Sequence, residues 1–384
     1  MSDVVIAGLG QYPVGEHWEL SLRLLAAKAM LAAIKDAGGL KPTAVYVGNL
    51  LAPVISNQAN LGSLLADNIG LAGVEGSTAE AAGASGAAAF HLGYLAVSSG
   101  YVDAALVVGV EKYTDATGSE LEAAIAETTD YDYESVQGLT LTAQAALLMQ
   151  RYLYDYPAPR AAFGAISLLA HNNAVNNPNA MFRRPISQAA YDRAEIMCDP
   201  LNMFDMAPYA DGAAAVLLTR PELVPAGVNH KLVQVRGSSV VSDTLALHDR
   251  PDPLAFDAAR MSVERACRQA GVLPSDVDLF ELCDSFSIYA VLSLEAAGFA
   301  KRGEGWKLAQ DGSLGLQGKL PISTLGGLKG RGNPLGAAGV YQIVEAALQL
   351  RGEAGLNQLP RAHRALVQSL GGPASTAITH VLEG

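Results

Sequence analysis

Two short stretches hold the side chains best suited to making and breaking bonds. Glu281-Leu-Cys-Asp-Ser-Phe-Ser287 carries a thiol, Cys283, followed by a carboxylate, Asp284, and a hydroxyl, Ser285. A thiol becomes a nucleophile or an acid/base when its surroundings draw off its proton; at a strand end it serves equally well as a small buried hydrophobe. Gly326-Gly-Leu-Lys-Gly-Arg-Gly-Asn-Pro-Leu-Gly-Ala-Ala-Gly339 carries six glycines and one amide, Asn333. Such an Asn can donate to an acyl oxygen as half of an oxyanion hole, or cap the turns of its own loop, and it cannot take up a proton near neutral pH. The glycines let the backbone approach a ligand, and the apolar helix pattern that follows, residues 340–350, points its free N–H groups back at the loop.

A third stretch, Glu80-Ala-Ala-Gly-Ala-Ser-Gly86, offers Ser85 as a hydrogen-bonding group, although neither Ser85 nor Ser285 has a sequence-evident general base. Arg183-Arg184 and Lys329/Arg331 are local basic spots able to hold one phosphorylated cofactor. All seven histidines fall outside these loops, with His171 in the middle of the chain. Tyr209 and Tyr341 lie beside the motifs; a Tyr can act as an acid, and packing is the alternative use of Tyr341.

The elements that must position these residues need a sizeable core. With 384 residues, half of them apolar and 17% charged, the chain is long enough for two or three domain-sized units. A formal charge of −12 argues against extended contact with nucleic acid or an anionic bilayer. No run of 18 apolar residues is present, and Met-Ser-Asp-Val-Val lacks a basic leader, so no membrane span and a cytoplasmic location are expected. Cys198, Cys267 and Cys283 share no metal-binding spacing and suggest neither a zinc site nor a disulfide framework.

Residues 4–8, 44–48, 77–82, 104–110 and 213–218 read as strands, alternating with helices at 21–37, 61–69 and 84–99. Strands at 232–235, 279–282, 320–323, 365–370 and 377–382, with helices at 257–270, 286–297 and 335–350, repeat that order. Continuous apolar strands favour a parallel, doubly covered sheet. The alternation lapses over residues 114–205, which reads as an insertion. The expected organisation is a first half of residues 1–113 plus 206–220, an inserted unit of 114–205, and a second half of 221–384.

Five segments, Glu80–Gly86, Val108-Gly-Val-Glu-Lys-Tyr-Thr114, Asp205-Met-Ala-Pro-Tyr-Ala-Asp-Gly-Ala-Ala-Ala215, Glu281–Ser287 and Gly326–Gly339, occur in the order seen in thiolases. The chain most resembles the archaeal and sterol-carrier-protein type. The resemblance implies a thiolase fold: two βαβαβαββ halves in a five-layered αβαβα arrangement, with an inserted loop domain, usually a homodimer through the first half. It implies coenzyme A or acyl-CoA as ligand, with no permanently bound cofactor and no metal. Thiolases acylate a Cys at a helix start with help from a His; here the Cys position is Gly83, and the His before Pro is Asn333. The loop that often reads His-Asp-Cys-Phe reads Cys283-Asp284-Ser285-Phe286.

The resemblance therefore implies that the classical covalent route is closed at position 83, with Cys283 left as a relocated nucleophile or acid/base. Asn333, Cys283 and Ser285 are the candidate catalytic residues, and Gly83, Ser85, Asn333, Gly327 and Arg183 the candidate ligand contacts. One expected function is altered C–C bond chemistry on acyl-CoA, such as retro-aldol cleavage, as in relatives that work with a zinc-ribbon/OB-fold partner. The alternatives are a non-catalytic acyl-CoA-binding or scaffolding subunit of a thiolase/aldolase-type complex, and an ordinary acetyl-CoA acetyltransferase.

Overall fold

Apolar runs and capped amphipathic stretches fold into two cycles of the same order. In the computed structural model, which describes residues 3–384, the first cycle is β1 (Val5–Gln11), α1 (Leu22–Asp36), β2 (Ala44–Gly48), α2 (Ala52–Ile55), α3 (Leu61–Asn68), β3 (Glu75–Ala79), α4 (Ser85–Ser98) and β4 (Ala104–Glu111). Ser21 starts α1 as its sequence suggests, its Oγ accepting from Leu24 N, and Leu25, Ala29 and Ala33 turn inward. The lapse in alternation holds α5 (Gly118–Ala126), α6 (Leu141–Asp155), α7 (Gly164–Ala174), α8 (Gln188–Asp192) and a small hairpin, β5 (Ile196–Cys198) with β6 (Leu201–Asn202). β7 (Gly212–Thr219) then returns to the first half. The second cycle is β8 (Val233–Ser242), α9 (Asp257–Ala270), β9 (Leu279–Glu281), α10 (Ser287–Ala296), α11 (Gly305–Gln310), α12 (Ala338–Arg351), β10 (Arg364–Gly371) and β11 (Thr376–Glu383).

The strands form a sheet in the order β3-β2-β4-β7-β1-β8-β11-β10-β9. Each half has the same internal order, and the halves meet where β1 and β8 pair antiparallel through Val5–Gln234 and Ile6–Val233. The sheet is mixed rather than parallel: β2 runs parallel to β3 and β4, and β9 to β10, while the other pairs are antiparallel. Continuous apolar sequence reports cover on both faces, and it does not report direction. β7, packed between α1 and α12, shows this, being antiparallel to both neighbours. The strand expected at 320–323 is reduced to a single bridge between Phe280 and Ile322. Pro321 has no N–H for a ladder, and Ser323 turns left-handed at φ +44°.

α1 and α3 cover one outer face, α9 and α10 the other, and α4 and α12 lie between the two half-sheets, giving five layers. The central pair touches backbone to backbone. A Cβ on Gly86 would sit 2.8 Å from Gly336 O, and one on Gly339 would sit 2.6 Å from Ala87 N. These glycines serve helix packing, and that packing brings the starts of α4 and α12 to one place.

Candidate functional site

The α4 tip is a tight turn held by its own residues. Ser85 Oγ accepts from Ala81 N at 2.9 Å and donates to Ala82 O at 2.6 Å, so this buried hydroxyl is spent on the turn and faces no ligand space. Ala82 is left-handed at φ +50°, a strain of about 1 kcal/mol that the turn must offset. Gly83 follows on a cavity wall, and a Cβ there would lie 2.9 Å from the Leu370 carbonyl oxygen. A side chain at position 83 would press on the backbone of β10 at that one atom.

Opposite, the glycine loop presents Asn333. Its N donates to Pro208 O at 3.0 Å, and its carbonyl oxygen accepts from Tyr113 Oη at 2.6 Å. Asn333 Oδ1 accepts from Leu335 N at 3.2 Å, which caps the turn into α12 and leaves Nδ2 as the free donor on the cavity wall. Cap and donor, posed as alternatives by the sequence, are compatible in one side chain. Gly327 sits on the inner side of the loop against Asp284 and Ser323, away from the cavity.

Cys283 and Ser285 also reach the cavity wall, Sγ and Oγ standing 3.5 Å apart. Burial pushes the Cys283 thiol above its ordinary pKa, the Ser285 groups only partly opposing, so the thiol stays protonated. Asp284 is fully buried, and its Oδ1 accepts from Leu328 N at 2.7 Å, bracing the glycine loop. Its carboxyl is pushed up by burial, against the pull of Lys329.

Three hollows adjoin along this face. The innermost, about 60 Å³, is lined by Gly83, Cys283, Ser285, Phe286, Tyr289 and Asn333 among others. Across Met206, Ala207 and Tyr209 it meets a middle hollow of about 290 Å³ that also touches Lys329. His171, Phe182 and Phe204 form the wall between that hollow and an open one of about 680 Å³, flanked by exposed Arg183 and Arg184. His171 is held neutral, burial pushing its pKa down to about 4, with Phe182 stacked on its ring at 5.9 Å between centroids.

The paired basic spot Lys329/Arg331 is not a phosphate grip. Arg331 is fully buried and bound to Glu345 at 2.6 Å. Lys329 is buried too; its Nζ donates to Phe204 O at 3.2 Å, and burial pushes its pKa down to about 8. Tyr209 donates to Glu122 at 2.8 Å, and Tyr341 donates to Tyr12 O at 2.5 Å as part of the packing.

Several supporting residues carry no sequence signal of their role. Tyr113 Oη bridges Ala210 N, at 3.0 Å, and Asn333 O. Asp211 accepts from the N–H groups of Tyr113, Thr114 and His17, from Thr114 Oγ1 and from Lys112. Burial alone would raise the Asp211 carboxyl, yet those donors hold it below its ordinary range. Glu111 accepts from Asn49, Leu50, Leu51 and Gly336, tying the start of α12 to β4, and burial pushes it up to about 7. The only hint was that all three fall inside the quoted segments. Among the described residues no three His, Cys, Asp or Glu side chains converge as a metal would require.

This architecture has known counterparts. The model of the thiolase N-terminal domain matches residues 4–222, and the thiolase C-terminal domain-like model matches residues 239–384. The chain belongs to the thiolase superfamily. It is 38% identical over 383 residues to an acetyl-CoA acetyltransferase of Methanothermobacter thermautotrophicus, covering 99% of both chains. It is 32% identical to the benzoylsuccinyl-CoA thiolase subunit BbsB of Thauera aromatica, covering 91% of this chain and 89% of that one. A solved Ltp2-ChsH2(DUF35) aldolase shares the fold, with a TM-score of 0.87 at 23% identity over 100% of this chain and 98% of that one. No helix among the described residues is long and apolar enough to cross a membrane.

Proposed function

We propose that this chain binds acyl-CoA and acts on it without forming an acyl-enzyme. The observation that carries this reading is the α4 tip: Gly83 stands where the family resemblance places the nucleophile, and a Cβ there would lie 2.9 Å from the Leu370 carbonyl oxygen. Cys283 is held protonated, and no His lines the inner cavity among the described residues. The adenosine phosphates would lie against Arg183 and Arg184, the arm would pass His171 and Tyr209, and the thioester oxygen would accept from Asn333 Nδ2.

An amide donor aimed at a thioester oxygen favours reactions that develop an enolate. In cleavage of a 3-hydroxyacyl-CoA, the C3 hydroxyl loses its proton, the C2–C3 bond breaks to leave a C3 carbonyl, and the electrons pass into the enolate until C2 is protonated. The two-component name of the aldolase and the subunit designation of the Thauera protein support a second chain acting with this one; the zinc-ribbon/OB-fold kind of that chain and a homodimer of this one follow only from the family resemblance.

Incubation with acetyl-CoA, acetoacetyl-CoA and a 3-hydroxyacyl-CoA, followed by calorimetry, product analysis and intact mass, tests the reading. Binding is expected with no acyl adduct and no thiolysis, and Asn333→Ala should weaken any C–C turnover. Binding with no turnover of any substrate would favour the non-catalytic subunit. Thiolysis abolished by Cys283→Ala, with an acetyl adduct on that residue, would return the protein to covalent acyl transfer.

A further inference from the structure

The inner cavity is the smallest of the three hollows, about 60 Å³ against about 290 Å³ for its neighbour. A water needs roughly 10–15 Å³ of such space, so the cavity has room for about four or five groups of methylene size. Much of its polar lining is already paired. Ser369 Oγ donates to Gln342 Oε1 at 2.6 Å, Gln342 Nε2 donates to Leu282 O at 2.8 Å, and Thr128 Oγ1 donates to Ile125 O at 2.8 Å. Ile125, Leu141, Phe286 and Leu370 add apolar wall. Such a surface suits a hydrocarbon chain, and its volume limits the length of that chain.

A small cavity selects by size only where its wall does not yield. Phe286 is held at backbone and ring alike. Its backbone bridges Met206, with Ala207 N donating to Ser285 O at 2.7 Å, and its ring stands edge-on to Tyr289 at 5.0 Å between centroids. Tyr289 in turn meets Phe256 edge-on at 5.7 Å, and both lie buried in the core that packs against α9 and α10. The Phe286 ring is thus backed by packed side chains.

The names of the relatives run from acetyl-CoA to benzoylsuccinyl-CoA, so membership of the superfamily leaves the size of the acyl group open. Given the acyl-CoA reading above, on which this inference rests, we infer that the cavity takes short acyl groups, up to about four carbons, and that Phe286 is the specificity-determining residue that sets this limit.

Calorimetric titration of the full chain, of Phe286→Ala and of Leu141→Ala with acetyl-CoA, butyryl-CoA and octanoyl-CoA, paired with thermal melts, decides the matter. The wild type should bind butyryl-CoA about as well as acetyl-CoA, and octanoyl-CoA roughly tenfold more weakly or worse. Phe286→Ala should cut the acetyl-to-octanoyl ratio about tenfold by giving the longer chain room. Leu141, partly buried at the start of α6, lines the same cavity; Leu141→Ala should cut the ratio by a smaller factor and supplies the reading where Phe286→Ala shows no cooperative melt. Equal affinity of the wild type for acetyl-CoA and octanoyl-CoA, or a ratio that no folded variant changes, would overturn the size limit and leave the acyl-CoA site standing. Binding of none of the three thioesters by the wild type would remove the site itself, and the inference with it.

Discussion

The two glycine-rich helix starts that meet at the cavity occupy matching places in the two halves, yet they are held in opposite ways. The α4 tip is self-contained, with Ser85 bonded to Ala81 and Ala82 in its own turn. The loop before α12 is held from far along the chain: Tyr113 grips Asn333, Glu111 grips Gly336, and Asp284 grips Leu328. A locally held turn keeps its shape whatever side chain stands at its tip, and at the α4 tip that position is Gly83. A turn held by distant partners keeps its place only while the whole fold supports it, and that loop carries the free donor.

The strongest test of this contrast removes the carboxylate that holds the backbone of Tyr113, the residue that grips Asn333. Asp211→Ala leaves the N–H groups of Tyr113, Thr114 and His17 without their acceptor and Lys112 with Asp115 alone, and should cost about 3 kcal/mol in urea unfolding. Acid should act on the shaft of α4, where His91 meets Ser238 Oγ at 2.7 Å and His380 meets the same oxygen at 2.9 Å. Burial pushes the His380 pKa down to about 3 from its ordinary 6.5, so the folded state binds fewer protons than the unfolded chain between those values. Its stabilising contribution is complete above pH 6.5 and drains away as pH falls. Unfolding at pH 5 should be about 2 kcal/mol easier than at pH 7, and His380→Gln should flatten that slope.

Tyr113→Phe should cost about 1.5 kcal/mol and weaken acyl-CoA binding, because Asn333 loses its anchor while α4 is untouched. The smallest effect is expected at the tip itself. Gly83→Ala forces a Cβ against Leu370 O and should cost about 1 kcal/mol with the Asn333 loop unmoved, measurable by thermal melts. If Gly83→Ala proved neutral and acylation followed Gly83→Cys, the closure by β10 would be soft, and the contrast between the two helix starts would fail.

Much of the fold was legible because its signals are local. The cap at Ser21, the apolar strands and the five motif segments each announce themselves within a few residues, and the repeated order of elements follows from reading them in sequence. Strand direction was not legible, since β7 carries the same apolar run whichever way it points. The strand expected at 320–323 failed at Pro321 and Ser323, where the backbone terms outweigh the apolar pattern. Asn333, Cys283 and Ser285 were all brought to one cavity with Gly83. Ser85 and Gly327 were not, because a serine in a tight turn satisfies its own backbone first and Gly327 lies on the inner face of its loop. Lys329/Arg331 read as a basic spot able to hold a phosphorylated cofactor, and both are buried, because charge in a sequence carries no record of burial.

By itself, the order of residues determined the duplicated halves, the glycine-rich helix starts and the absence of a side chain at position 83, all of them properties of short stretches. Tertiary structure alone decided that the Leu370 carbonyl would stand against position 83 and that Tyr113 would set the position of Asn333. The physical reason is that burial and hydrogen-bond pairing depend on groups that are distant along the chain, and those distances exist only once the two half-sheets have closed on α4 and α12.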